Sequence, residues 1–295
     1  MRNPEMVRRA HVGKDGDPGW YRVHRRLSIG ITLRLLPTPV RPVQVSLAMM
    51  AVWLAGAALV AAPGSAANLA GFGLLYLAFL LDKVDGELAR LRGTASARGV
   101  LLDRFHHRLV EPTLFLAAAW HDYARRGDAA VLAWGFATAL LANVIEEHQQ
   151  LAPYIFLKRL REDGGVKVQR PATPRGWRRA RVLLRPLKIF RTPITVLPLL
   201  LAGQLGERAL GRPLVGATLA VSAVGLTIYL LFQCLDYYRF RLDEEFVEIA
   251  LRHGWPSDPV GARRRPTGGA ARRNPSAAAP RPVPRPQTPR EEVAR

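Results

Sequence analysis

The sequence predicts an all-α fold: a polytopic membrane helix bundle of six transmembrane helices, preceded by an N-terminal interfacial amphipathic helix. Three observations predict it. Six Leu-, Ala- and Val-rich runs (45–62, 69–81, 109–120, 129–145, 194–205 and 214–231) occupy a chain of 295 residues, and several approach the roughly 20 apolar residues that cross a bilayer. Basic residues gather in alternate loops, which the positive-inside rule reads as an even number of spans with both termini in the cytoplasm. No apolar leader with small-residue cleavage chemistry opens the chain, so no cleavable signal peptide is expected.

Residues 1–16 are polar and read as disordered. From Trp20 to Leu36 apolar residues (Trp20, Val23, Leu27, Ile29, Ile31, Leu33) alternate with basic ones, as an interfacial helix requires. Pro37, Pro39 and Pro42 break that helix and open span one, 43–62. Span two covers 68–91 and carries carboxylates in its cytoplasmic half. A short polar turn, 92–98, leads into span three, 99–120, where Pro112 is expected to kink the helix. Span four covers 128–151, and a long basic segment, 158–188, precedes span five at 189–205. Span six, 213–237, is followed by a mixed-charge amphipathic piece at 243–253. The membrane domain is therefore expected over 17–253, with a disordered basic tail rich in Pro, Ala and Arg over 254–295. No internal repeat is visible, so an inverted-repeat transporter has no direct support.

The formal charge of +20 belongs to the juxtamembrane segments, where it favours anionic membrane lipids and speaks against nucleic acid as the partner. Cys234 is the only cysteine, which excludes a disulfide framework and a thiolate metal site. These features place the protein in the cell membrane as a multi-pass protein.

Residues 82–107 carry the chemistry. Positions three, four and seven apart share a helix face. Asp82, Asp85, Gly86 and Ala89 thus line one face of span two, with Arg90 at its edge, and Gly99, Asp103 and His107 line one face of span three. A short turn makes these spans antiparallel neighbours, so the two faces oppose one another near the cytoplasmic surface. Acids at the end of an apolar run are costly unless something binds them, and small residues among them let a ligand approach the backbone. Oxygen ligands converging in this way suit Mg²⁺ or Mn²⁺ bridging phosphates. The simpler reading of Asp82 and Asp85 is a helix-end acid pair balanced by Lys83 and Arg90. Glu146, Glu147 and His148 form a second polar cluster, read as an interfacial cap. The basic residues Arg185, Lys188 and Arg191 flank the inner end of span five. They serve topology, or they hold an acceptor phosphate, which arginine reads bidentately.

The spacing resembles the CDP-alcohol phosphotransferase motif, D-x2-D-G-x2-A-R-x8-G-x3-D-x3-D, matched at Asp82, Asp85, Gly86, Ala89, Arg90, Gly99 and Asp103. The resemblance implies an integral membrane enzyme of phospholipid synthesis. Such an enzyme transfers the phosphatidyl group of a CDP-linked lipid donor, such as CDP-diacylglycerol, to a hydroxyl acceptor and releases CMP. It also implies that Asp82, Asp85 and Asp103 hold metal on the donor diphosphate. Gly86, Ala89, Arg90 and Gly99 would then meet the nucleotide and diphosphate, and a homodimer is a family expectation. The last motif position departs from the pattern: it is His107, where the family has an aspartate that serves as general base and metal ligand. Imidazole can do either job, with Glu111 one turn further as a candidate assistant and His106 pointing about 100° away. The family also commonly has Asn after the proline that opens span one; the segment from Arg41 to Ser46 keeps the proline and a hydroxyl. Two other readings stay open: a catalytically silent nucleotide-binding relative, and an ion-coupled transporter whose intramembrane acids carry ions.

Overall fold

Prolines and glycines punctuate the chain where the helices end. A computed structural model describes residue 10, residues 21–163 and residues 172–252. The expected terminal segments 1–16 (residue 10 apart) and 254–295 lie outside the described residues. All described elements are helical. Helix α1 (Tyr21–Leu35) stops before the Pro-rich connection, and α2 (Pro42–Ala61) starts with Pro42 at its first position, where a missing N–H costs nothing. The Gln44 side chain accepts the Arg41 N–H at 2.8 Å and closes that helix start. Helix α3 (Ser65–Arg92) is the longest of the early elements and ends at Gly93, whose φ of 65° is the left-handed cap that glycine adopts without strain.

The expected third span is not one regular helix. It runs as α4 (Ala97–Phe105), a π-helical turn (His106–Val110) and α5 (Thr113–Arg126). Pro112 removes a backbone donor, and the π-turn widens the backbone just where the two histidines sit, a common form of break at functional sites. Then come α6 (Ala130–Gln149), α7 (Leu151–Asp163) and α8 (Arg175–Leu184), the last followed by a 3₁₀ turn over Arg185–Phe190. Helix α9 (Pro193–Leu210) and helix α10 (Leu214–Asp236) complete the bundle, and a π-turn joins α10 to α11 (Leu242–Arg252).

Among the described residues four helical stretches are long and apolar enough to cross a membrane: Pro42–Ala61, Ser65–Arg92, Ala130–Gln149 and the continuous Leu214–Leu251. The segments Arg175–Phe190 and Pro193–Leu210, bent by 60°, make a fifth if they act as one span. The protein is thus a multi-pass membrane helix bundle. The broken helix from Ala97 to Arg126 falls outside this count because its pieces, Ala97–Phe105, His106–Val110 and Thr113–Arg126, are only 9, 5 and 14 residues long.

The core lies where α2, α3, α5, α6, α9 and α10 meet, around fully buried Trp53, Leu75, Leu114, Leu200, Leu219 and Leu226. Helices α2 and α3 form the tightest pair. A Cβ added at Gly71 would stand 2.7 Å from both the Gly56 carbonyl oxygen and the Val60 nitrogen, so the two backbones touch with no room for a side chain. At the end of the bundle away from the motif, Asn68 Nδ2 donates to the Val60 carbonyl (2.5 Å), and His121 Nδ1 lies 2.9 Å from the Ala62 carbonyl. Gly71→Ala is therefore expected to destabilise the protein by about 1–3 kcal/mol, measured as a lowered midpoint of thermal unfolding in detergent.

Candidate functional site

The face of α3 that carries Asp82, Asp85, Gly86, Ala89 and Arg90 opens onto a cavity of about 710 Å³, and Gly99, Asp103 and His107 close it from the other side. All eight motif positions therefore border one space. The turn after Gly93 accounts for this. Ser96 caps α4 by accepting the Gly99 N–H at 3.2 Å, which aims the first turn of α4 back along α3. Arg41, Pro42 and Ser46, at the start of α2, form a further wall.

Each acid is held differently. Asp85, buried, receives the Ser46 hydroxyl at 2.5 Å and the Gly86 N–H at 2.5 Å. Asp82 pairs with the Lys83 ammonium, which also sits 4.8 Å over the Phe79 ring. His107 Nε2 lies 3.5 Å from Asp103 and 3.8 Å from Asp82, while its Nδ1 lies 2.9 Å from Glu111 Oε1. His106 is fully buried, edge-on to Trp53 at 5.3 Å between ring centroids, with Nε2 3.8 Å from Glu111. Ligand atoms of Asp82, Asp103 and His107 converge within 4.8 Å of one another, and so do those of His106, His107 and Glu111. A set of carboxylate oxygens with one imidazole nitrogen fits a divalent cation. A carboxylate on the far ring nitrogen is the arrangement that orients a ligating histidine.

The three expected anion-binding cations border two different spaces. Arg191 pairs with Glu146 and reaches Gln149 at 3.4 Å. It borders a cavity of about 250 Å³ that shares Tyr21, Lys83 and His107 with the motif cavity. Arg185 and Lys188 border a third space of about 540 Å³, together with Arg181 and Arg241. Glu146, Glu147 and His148 act as ties: Glu147 pairs with Arg108, and the His148 ring packs edge-on against Tyr237 at 4.5 Å.

Arg90 donates from Nε to the carbonyl of Ala10 at 2.7 Å. Lys83, Ser46, Tyr21, Arg25 and Arg92 also border the motif cavity but did not figure among the expected site residues. For Ser46 a signal existed, a hydroxyl one turn into span one beside the proline. For Arg25 there was none, because its place depends on how α1 packs.

Apolar spans around a water-facing space of clustered acids, small residues and cations define an integral membrane protein built to handle a phosphate-bearing ligand. The sequence profile for CDP-alcohol phosphatidyltransferase matches residues 40–229, and the chain belongs to that family. It is a membrane transferase of phospholipid synthesis that moves the phosphatidyl group of a CDP-alcohol, and the family generally uses divalent metal ions. No curated protein sequence matches the chain. Among solved structures, it is similar to Mycobacterium tuberculosis phosphatidylinositol phosphate synthase (PgsA1) with CDP-DAG bound. The identity is 18%, the TM-score 0.46, and the match covers 72% of this chain and 93% of that one. The apo form of the same synthase matches at 19% identity and a TM-score of 0.44, covering 71% and 95% of the two chains.

The geometry predicts that Glu111→Gln, which removes the carboxylate set against His107 Nδ1, lowers transferase turnover about 10- to 100-fold. CMP release by the purified protein in detergent measures it.

Proposed function

We propose that this enzyme transfers the phosphatidyl group of CDP-diacylglycerol to the hydroxyl of a small polar acceptor, releasing CMP. The observation that carries the proposal is the convergence of Asp82, Asp103 and His107 in the cavity that the other motif residues border. In this reading Asp82, Asp85 and Asp103 would hold Mg²⁺ or Mn²⁺, and His107, which could otherwise ligate the ion, is kept as the base. The ion would supply positive charge to offset that of the diphosphate. Gly86, Ala89 and Gly99 leave the wall low enough for the nucleotide. A Cβ at Gly99 would meet nothing closer than the Ser96 hydroxyl at 3.7 Å, so this wall is open. Arg90, at the same wall, faces the phosphates.

His107 takes the place of the family's last aspartate. Glu111 fixes the ring through Nδ1 and turns Nε2 toward Asp82 and Asp103. Nε2 accepts the acceptor hydroxyl proton as that oxygen attacks the phosphorus bearing the diacylglycerol. The bond from this phosphorus to the bridging oxygen breaks, and CMP carries the bridging oxygen away. Of the three cations proposed for an acceptor phosphate, Arg191 stands next to His107's side of the cavity, and Lys188 and Arg185 stand beyond it. The reading includes six spans, the third being the broken helix from Ala97 to Arg126. Both termini face the cytoplasm of the cell membrane, and the basic juxtamembrane segments support this orientation.

CMP release from CDP-diacylglycerol should require a divalent cation and be nearly abolished in Asp103→Asn. His107→Ala should lose about 10²- to 10⁴-fold, the usual contribution of a general base, and His107→Asp should recover most of it. A radiolabelled donor with a panel of polyol and phosphorylated acceptors measures both CMP and lipid product. Equal CMP release by the parent and Asp103→Asn sinks the assignment, and a parent without turnover that still binds CDP would be a silent relative.

A further inference from the structure

Glu87 lies between the motif's acids and its arginine but points elsewhere, about 140° around α3 from Asp82 at 100° per residue. Its carboxylate is 0% exposed. Such a charge needs partners, and the described ones come from α1. Ser28 Oγ donates to it at 2.7 Å, Thr32 Oγ1 at 2.8 Å, and an Arg25 Nη stands 3.5 Å away. Ser28 and Thr32 are themselves fully buried, so the polar face of α1 is turned against the motif helix and away from water.

A second contact fixes the other end of α1. The Arg92 guanidinium, from the last turn of α3, donates to the carbonyls of Leu35 (2.9 Å), Leu36 (3.0 Å), Thr38 (2.7 Å) and Val40. This holds the whole α1–α2 connection. His24 Nδ1 lies 2.9 Å from the Tyr76 hydroxyl and adds a third tie to α3. Helix α1 is therefore registered on α3 by polar contacts that no sliding would preserve. That register brings Tyr21 and Arg25 to the edge of the motif cavity. The cavity then carries Arg25, Arg41, Lys83, Arg90 and Arg92 against Asp82, Asp85 and Asp103. Cations outnumber carboxylates there, which suits an anionic ligand.

We propose that α1 is a fixed wall of the donor cavity, that Arg25 binds the diphosphate portion of the CDP-linked donor, and that Glu87 is the residue positioning Arg25. The proposal rests on the reading that this cavity takes a CDP-linked donor. Arg25 is nine-tenths buried and already tied to a carboxylate, so its guanidinium is presented without the cost of ordering a free side chain.

Isothermal titration of the full chain in detergent with CDP and MgCl₂ tests it. Arg25→Ala should raise the CDP Kd about 10- to 100-fold, the range for losing a hydrogen bond to a charged group. Arg25→Lys should fall between parent and alanine variant. Glu87→Gln, which keeps the shape and part of the hydrogen bonding, should raise the Kd in the same direction. In turnover, Arg25→Lys should raise the donor KM while kcat at saturating donor stays near the parent value, a split that a merely structural role would not produce. An Arg25→Ala or Arg25→Lys protein that elutes as the parent does in size exclusion and binds CDP with the parent Kd overturns the role of Arg25. A parent chain that does not bind CDP overturns this inference together with the donor reading beneath it.

Discussion

A carboxylate on a helix that enters hydrocarbon must be answered by a cation, a hydroxyl or a bound ion, and α3 carries three within six residues. Each is answered by a different part of the chain. Asp82 meets its neighbour Lys83 and His107 from the π-turn, Asp85 meets Ser46 from α2, and Glu87 meets Ser28, Thr32 and Arg25 from α1. The cytoplasmic half of the bundle is assembled around these pairings. They are directional, and an unmet buried charge costs far more than a lost apolar contact, so they set register where apolar packing alone would tolerate sliding.

The histidine at the last motif position is accommodated by its neighbours. Glu111, four residues on, lies against Nδ1, and the π-turn places His106 and His107 side by side with ring centroids 5.4 Å apart. His106 turns inward to pack on Trp53, while His107 stays half-buried at the cavity edge. The two adjacent histidines thus serve opposite sides of one helix, one packing and one facing the acids. A carboxylate behind an imidazole also favours one tautomer and one ring orientation, which an aspartate at position 107 would not have required.

His107 and Lys83 also stand where two cavities meet. On one side lie the motif acids and the small residues; on the other lie Glu146, Asn143 and Arg191. A transferase has to bring two substrates to one phosphorus from different directions, and a junction of two spaces has the shape such a reaction needs. Arg191 directly follows the 3₁₀ turn, while Arg185 and Lys188 within that turn border a different space.

Hydropathy made the membrane bundle legible, because a bilayer imposes a length and an apolarity that any sequence must display. Helical periodicity made the motif faces legible, because residues 82–107 lie on two helices joined by a short turn, and local geometry suffices to place them. The break in the expected third span was legible only as a kink at Pro112; the π-turn over His106–Val110 has no signature in the spacing. Equally, that Arg191 borders a different space from Arg185 and Lys188 shows only in three dimensions, and the approach of Arg25 hangs on which face of α1 meets Glu87. By itself the sequence determined the class of fold and which acids share a helix face, since hydropathy fixes the first and spacing along a helix the second. Tertiary structure alone decided which distant side chains answer those acids, because a buried charge chooses its partner by geometry in space and not by distance along the chain.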